Sequence, residues 1–220
     1  MHYKKLWTDL HSNIHHNQMG ELNQWIEHAK KTVDFWPVAY YPFYMKRTET
    51  GAGLEDLYDR EQIEQDWEQL REAVKQQNEA GYPMFMGYEW QGSGEDGDHN
   101  VFFLDNEQPM LHPMRYEELY QAYKDRSAIA IPHHVAYQLG SRGKNWETHR
   151  EAFSPFAEIY SSHGCSENDT GPFDMERHLH MGPRTGETCY ERGIEKGYLV
   201  GMIASGDNHN VPAVHDHGTM

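Results

Sequence analysis

The sequence predicts an α/β fold: a single domain whose strand–helix units, about seven of them, form a parallel sheet closed or nearly closed into a barrel. Three observations carry this expectation. Short apolar runs alternate with longer segments whose apolar residues recur at helical spacing. The 220-residue length suits one sizeable core, so residues 1–220 are expected to form one domain. Several apolar runs end in a histidine or an acid, and barrels of this class carry their chemistry at the C-terminal ends of the strands.

Taken in order, residues 4–10 read as a strand that runs into Thr8-Asp9-Leu10-His11-Ser12-Asn13. Residues 14–17 form a loop, and 20–31 a helix with Leu22, Trp25, Ile26 and Ala29 on one stripe. Residues 33–40 are a second strand, bent or at an edge because of Pro37. Residues 42–57 show no period and read as a long loop. Asp59 caps a helix reaching Gly81, with Ile63, Trp67, Leu70 and Val74 on its core face.

Residues 84–90 and 99–104 are buried strands flanking a loop with glycines at 92, 94 and 97. After Pro109 and Pro113 comes a short helix, 116–124, then a strand, 128–131, ending in Pro132-His133-His134. A loop through Gly140 and Gly143 precedes 146–153, and the strand 156–160 ends in Ser161-Ser162-His163-Gly164. A polar loop leads to a helix at 187–196, and the last strand, 199–204, ends in Ser205-Gly206-Asp207-Asn208-His209.

A formal charge of −16 argues against nucleic acid or an anionic membrane as partner, because phosphates are bound by clustered Lys and Arg. No apolar run approaches a membrane span, and Met1-His2-Tyr3-Lys4-Lys5 is not followed by a signal-peptide core, so a cytoplasmic protein is expected. Cys165 and Cys189 are too few for a disulfide framework.

The 16 histidines are the anomaly, since imidazole is the commonest side-chain metal ligand. His11, Glu89, His133 and Asp207 fall at strand ends, as do His163 and His209, with His99 close by in the connection after Glu89. Glu89 lies among Tyr88, Trp90 and methionines, where an unpaired buried carboxylate is costly; it is exposed, hydrogen-bonded or bound to a cation. A nitrogen-and-carboxylate set suits zinc, iron or manganese, and a bridging Glu89 allows two ions that activate water and clamp an oxyanion. The plainer alternative for each residue is a hydrogen-bonded strand-end side chain. Alternation lets only one of His133 and His134 point inward, His133 being preferred. His15 and His16 stay open; His2, His28, His112, His149, His178 and His180 read as surface or helix residues, and His215 and His217 as a tail. No nucleophile elbow, phosphate loop or dinucleotide fingerprint is present, and Cys165 near His163 is a weak rival pair.

The order Asp-Leu-His, Gly-Tyr-Glu-Trp, Gly-Asp-His-Asn, Pro-His-His, Glu-Ile-Tyr-Ser-Ser-His-Gly and Ser-Gly-Asp-Asn-His resembles the PHP (polymerase and histidinol phosphatase) superfamily over nearly the whole chain. The resemblance implies a distorted seven-stranded (βα) barrel that holds metal ions and hydrolyses phosphoesters. It implies His11, Glu89, His99, His133, Asp207 and His209 as ligands. Asn13 stands where the family has a second histidine, and Tyr40-Tyr41 where it has Asp-His, so one or two divalent ions (Zn, Mn or Fe) are expected. The chain ends at Met220 where a closing helix is expected, which leaves open a fragment, a homo-oligomer or a further domain covering that side.

The expected activity is therefore metal-dependent hydrolysis of a small, anionic substrate, foremost a phosphoester, with Glu89 and Asp207 on the ions and Asp207 or His209 moving the proton. Arg115, Arg142, Lys144 and Arg184 are candidates to meet a substrate anion, or solvated surface charges. One alternative is an amide, ester or glycan-derived substrate held by Trp90, Tyr40, Tyr41 and Trp146; another is a degenerate barrel that binds metal or a partner.

Overall fold

The computed structural model describes residues 3–47, 53–175 and 181–209. The fold is mixed α/β. A five-stranded sheet has the order β1 (Asn13–His15), β2 (Trp36–Tyr41), β5 (Met84–Trp90), β6 (His99–Phe103), β7 (Ala128–Pro132). A second sheet joins β10 (Gly201–Ala204), β8 (Phe156–Ser161) and β9 (Gly164–Cys165). β3 (Phe43–Arg47) and β4 (Gly53–Leu57) pair as an antiparallel hairpin.

Three expectations are corrected here. The first strand is Asn13–His15, not 4–10. Residues 4–7 are exposed and held to the next segment by Asp34, whose carboxylate accepts from Trp7 N (2.9 Å) and from Lys4 Nζ (3.3 Å). The loop expected at 42–57 contains the β3–β4 hairpin. The sheet is not wholly parallel: β6 runs antiparallel to both β5 and β7, so β7 recovers the direction of β5.

The helices cover one face of the large sheet. α1 (Leu22–Thr32) buries Leu22, Trp25, Ile26 and Ala29. α2 (Arg60–Glu79) buries Trp67, Leu70 and Val74, and the Asp59 carboxylate caps it by accepting from Gln62 N at 3.0 Å. α3 (Tyr116–Tyr123) adds Tyr116, Leu119 and Tyr123. Their side chains share one core with Trp36, Tyr88, Trp90 and Phe103. A smaller cluster, Ala39, Phe102 and Ile131 with Leu10, Ile129 and Ile203, fills the other face, so β2 is buried along its whole length. The last helix, α4 (Tyr190–Glu195), is shorter than expected, and 146–153 yields only a 3-10 turn at Trp146–Thr148.

The two sheets meet at both margins. β7 lies beside β8, and beyond β10 a parallel bridge joins Ser12 to Asn208, with Asn13 N donating to Asn208 O at 2.8 Å. The segments after β5, β7, β8 and β10 therefore emerge near the start of β1.

Candidate metal centre

Register decides which side chains meet. Successive strand residues face opposite ways, so Glu89 and Trp90 lie on opposite faces of β5. His99 is paired with Trp90 and therefore shares its face, turned away from Glu89. His99 also pairs with Pro132, which puts His133, the next residue, on the face of Glu89. His11 arrives at the same place from the turn before β1. The ligand atoms of His11, Glu89 and His133 lie within 4.8 Å of one another, all three residues buried.

His11 and Glu89 are aimed by neighbours, and His133 is not. His11 Nδ1 is 2.7 Å from Glu158 Oε2, which leaves Nε2 facing Asp207 Oδ1 (3.2 Å) and Glu89 Oε2 (3.8 Å). Glu158 also accepts from Ser205 Oγ (2.5 Å) and His134 N (3.1 Å), and Asp9 accepts from the backbone N–H of His11 (2.8 Å) and of Gly206 (3.1 Å). Carboxylates behind a histidine fix its tautomer and orientation, as is usual behind metal ligands. The His133 ring lies 4.0 Å from the His11 ring, and both its nitrogens are buried with no hydrogen-bond partner. Such groups are costly unless something else binds them, and a divalent ion among two imidazoles and a carboxylate fits.

Two wings extend from Asp207. On one side its Oδ2 is 3.0 Å from His163 Nε2, and the His163 ring is 4.9 Å from that of His134. On the other, Oδ1 is 2.9 Å from His209 Nε2, and His209 Nδ1 is 2.8 Å from His15 Nε2. Asn13 Nδ2 donates to Glu89 Oε2 at 2.9 Å and lies 3.1 Å from His209 Nε2. Asp207 and His134 hold left-handed backbone angles, φ 49° and 35°, uncommon outside glycine but more accessible to Asp and His than to most residues.

The electrostatics follow from burial. Desolvation pushes the His11 pKa down, but Asp207 and Glu158 override it and hold it well above the ordinary imidazole range. Burial would raise Asp207, yet His11 and His163 hold it well below the usual carboxylate value. Burial, with histidine neighbours, keeps His133 and His134 neutral, and it lowers His15 to about 4. Burial raises Asp9 to about 7. Tyr41 is held far above the phenol range by burial and by Glu89, so it stays a protonated, weak donor.

His99, by contrast, is occupied elsewhere: Nδ1 donates to Gly97 O (2.8 Å) and Nε2 faces Lys144 Nζ (3.2 Å), with the ring stacked on Tyr116. The aromatic mouth does not assemble either. Trp90 Nε1 donates to Pro113 O (2.7 Å), Tyr40 donates to Asp66 (2.6 Å) and Trp146 belongs to a separate cluster with Tyr190, so only Tyr41 reaches the cleft. His149, read as a surface or helix residue, is buried against Trp146 and Tyr198. His2, His178, His180, His215 and His217 lie outside the described residues.

A cavity of about 190 Å³ reaches the group at Glu89 and is lined also by His163, Asp207, His209, Glu55 and Arg142. Larger clefts of about 730 and 400 Å³ lie elsewhere and are not lined by this cluster. Of the four basic candidates only Arg142 lines the cavity: Arg115 pairs with Asp96 (2.8 Å), Lys144 is buried, and Arg184 donates to loop carbonyls of Phe173, Asp169 and Gly171. The sequence reading missed Glu158, Glu55 and Asp98, and left His15 open. An acid at 158 between Ala157 and Ile159 was the available signal, since a charge inside an apolar strand needs a partner.

No family model matches this sequence, and no curated protein matches it. Among solved structures it is similar to a two-domain protein from Bacteroides vulgatus ATCC 8482 containing a predicted PHP-like metal-dependent phosphoesterase. The two are 14% identical with a TM-score of 0.46, over 95% of this chain and 57% of that one. This chain thus spans little more than half the length of that protein.

Proposed function

We propose that this chain is a metal-dependent hydrolase acting on phosphoesters, built as a PHP-type barrel. The observation that carries the reading is the buried trio His11, Glu89 and His133, two of whose ring nitrogens, those of His133, are left to a ligand other than protein. The meeting of the two sheets at β7–β8 and at Ser12–Asn208 supports the barrel.

In this reading His11, Glu89 and His133 would hold one divalent ion, with Asp207 beside His11. The ion, when bound, supplies Lewis acidity and makes a water acidic enough to attack near neutral pH. Glu158 and Asp9 keep His11 in place. Asp207 and His209, 2.9 Å apart and facing the cavity, form the route for a proton, with the half-buried His209 passing it to solvent. Asn13 favours a second reading, a barrel that binds metal without turnover, because its neutral amide already donates to Glu89.

The test is hydrolysis of p-nitrophenyl phosphate and bis-p-nitrophenyl phosphate after loading with zinc, manganese or iron. Metal-dependent turnover is expected, and Glu89→Gln should lower it by roughly 100-fold or more. Stoichiometric metal with no turnover on either ester would leave the non-catalytic reading standing instead.

A further inference from the structure

We propose that Arg142 is an anion-binding subsite in the cleft over the metal centre, and that Glu55 occupies it as an internal competitor. The inference rests on the hydrolase reading of that cleft and adds what grips the substrate's phosphoryl group.

Arg142 is the one Lys or Arg lining the cavity among the described residues. Its backbone is left-handed, φ 72°, with its N–H donating to Gly94 O at 2.9 Å. A non-glycine residue in that conformation is held there by its surroundings, and such residues gather at ligand clamps. Its guanidinium is divided between a buried and an accessible partner. Nη1 lies 3.2 Å from Oδ2 of Asp98, which is wholly buried just before β6. Nη2 donates to Gln91 Oε1 at 2.9 Å and to the Glu55 carboxylate.

Asp98 is the buried partner of Arg142, although burial holds its carboxyl well above the usual carboxylate range against the pull of the guanidinium. Glu55 is a second carboxylate, carried on the β3–β4 hairpin rather than on the main sheet, and its side chain lines the cavity and keeps 18% exposure. It also accepts from Gln91 Nε2 at 2.8 Å, so the polar groups around it form a cradle for an oxyanion. A guanidinium fork binds phosphate oxygens as readily as carboxylate oxygens. A phosphoryl group entering the cleft takes the place of Glu55 at Nη2 and Gln91, while Asp98 keeps Nη1. The exchange replaces one anion by another at the same donors, so Arg142 is never left unpaired. If the pair were only a tether for the hairpin, removing the Glu55 charge would loosen the wall and leave anion binding unchanged or weaker.

Calorimetric titration of the metal-loaded protein with inorganic phosphate separates these cases. Glu55→Gln, which keeps the shape and removes the charge, should bind phosphate about tenfold more tightly than the natural protein. Arg142→Gln should bind it at least about tenfold more weakly, with Arg142→Lys between. Equal or weaker binding by Glu55→Gln overturns the proposal, as does unchanged binding by Arg142→Gln. Should Arg142→Gln fail to fold, Glu55→Gln still decides. Binding rather than turnover is read, so the two claims part cleanly. Altered phosphate affinity without ester hydrolysis retains the subsite and removes the activity; hydrolysis with unaltered affinity in both variants does the reverse.

Discussion

On the proposed reading, a proton and a divalent ion would compete for His11 Nε2. Asp207 and Glu158 overcome the effect of burial and hold the ring's pKa well above its ordinary value, so without an ion the proton is the favoured cation there. Ion binding must expel it, and affinity therefore rises with pH until the raised pKa is passed. Chelator competition for zinc at about pH 6 and about pH 8 should show tighter binding at the higher value. Equal affinity would mean that His11 does not yield its proton to the ion. Lys144 makes the opposite case. Burial lowers it from 10.5 to about 7, between His99 and the Tyr116 ring, with Asp96 acting weakly against the shift. The folded protein holds that proton less tightly than the unfolded chain. The associated stability is thus complete above about pH 10.5 and is lost as pH falls toward 7, on the order of 5 kcal/mol for a group so buried. Urea unfolding of Lys144→Met at about pH 7 and about pH 10 should show most of that difference gone.

At the scale of elements, the loop 138–144 brings Arg142 to the cleft and Lys144 to the core, and Gly143 permits it. A Cβ at Gly143 would sit 1.9 Å from Tyr137 O, so Gly143→Ala must displace the loop. A loss of about 2 kcal/mol or more is expected in chemical denaturation, together with weaker phosphate binding through Arg142. Helix α2 offers a milder case: Asp59→Ala removes the side-chain cap and should cost about 1 kcal/mol. These elements also show what the chain makes legible. α2 was readable from its cap and its Trp67, Leu70, Val74 stripe, because a half-buried helix must display a period. The β3–β4 hairpin was not, since most of the ribbon's described residues stay exposed or half-buried and no alternation marks it. The antiparallel turn of β6 was legible but unread: residues 91–98 are too few for a parallel crossover, which needs a dozen or more. That turn moves His99 off the face of Glu89. Spacing alone placed Glu89, His133 and Asp207 at or just past strand ends, whereas His11 precedes β1 instead of ending a strand; partners such as Glu158 needed the second sheet brought alongside the first.

Over the whole molecule, the site joins the two sheets. His11 and Glu89 belong to the first sheet and its approach, Glu158 and Asp207 to the second and its exit, and the bridge Ser12–Asn208 lies between them. An ion held there ties both halves together, so a saturating metal should stabilise the fold by about 3 kcal/mol at a hundredfold excess over its Kd, and the gain should vanish in Glu89→Gln. The most direct measurement is anomalous scattering at the metal edge from crystals of the metal-loaded protein, paired with elemental analysis of the same sample. A stoichiometric ion is expected, with its peak among His11, Glu89 and His133 and lost in His133→Ala. A stoichiometric ion elsewhere in the molecule, or none after loading with zinc, manganese and iron in turn, would contradict that expectation.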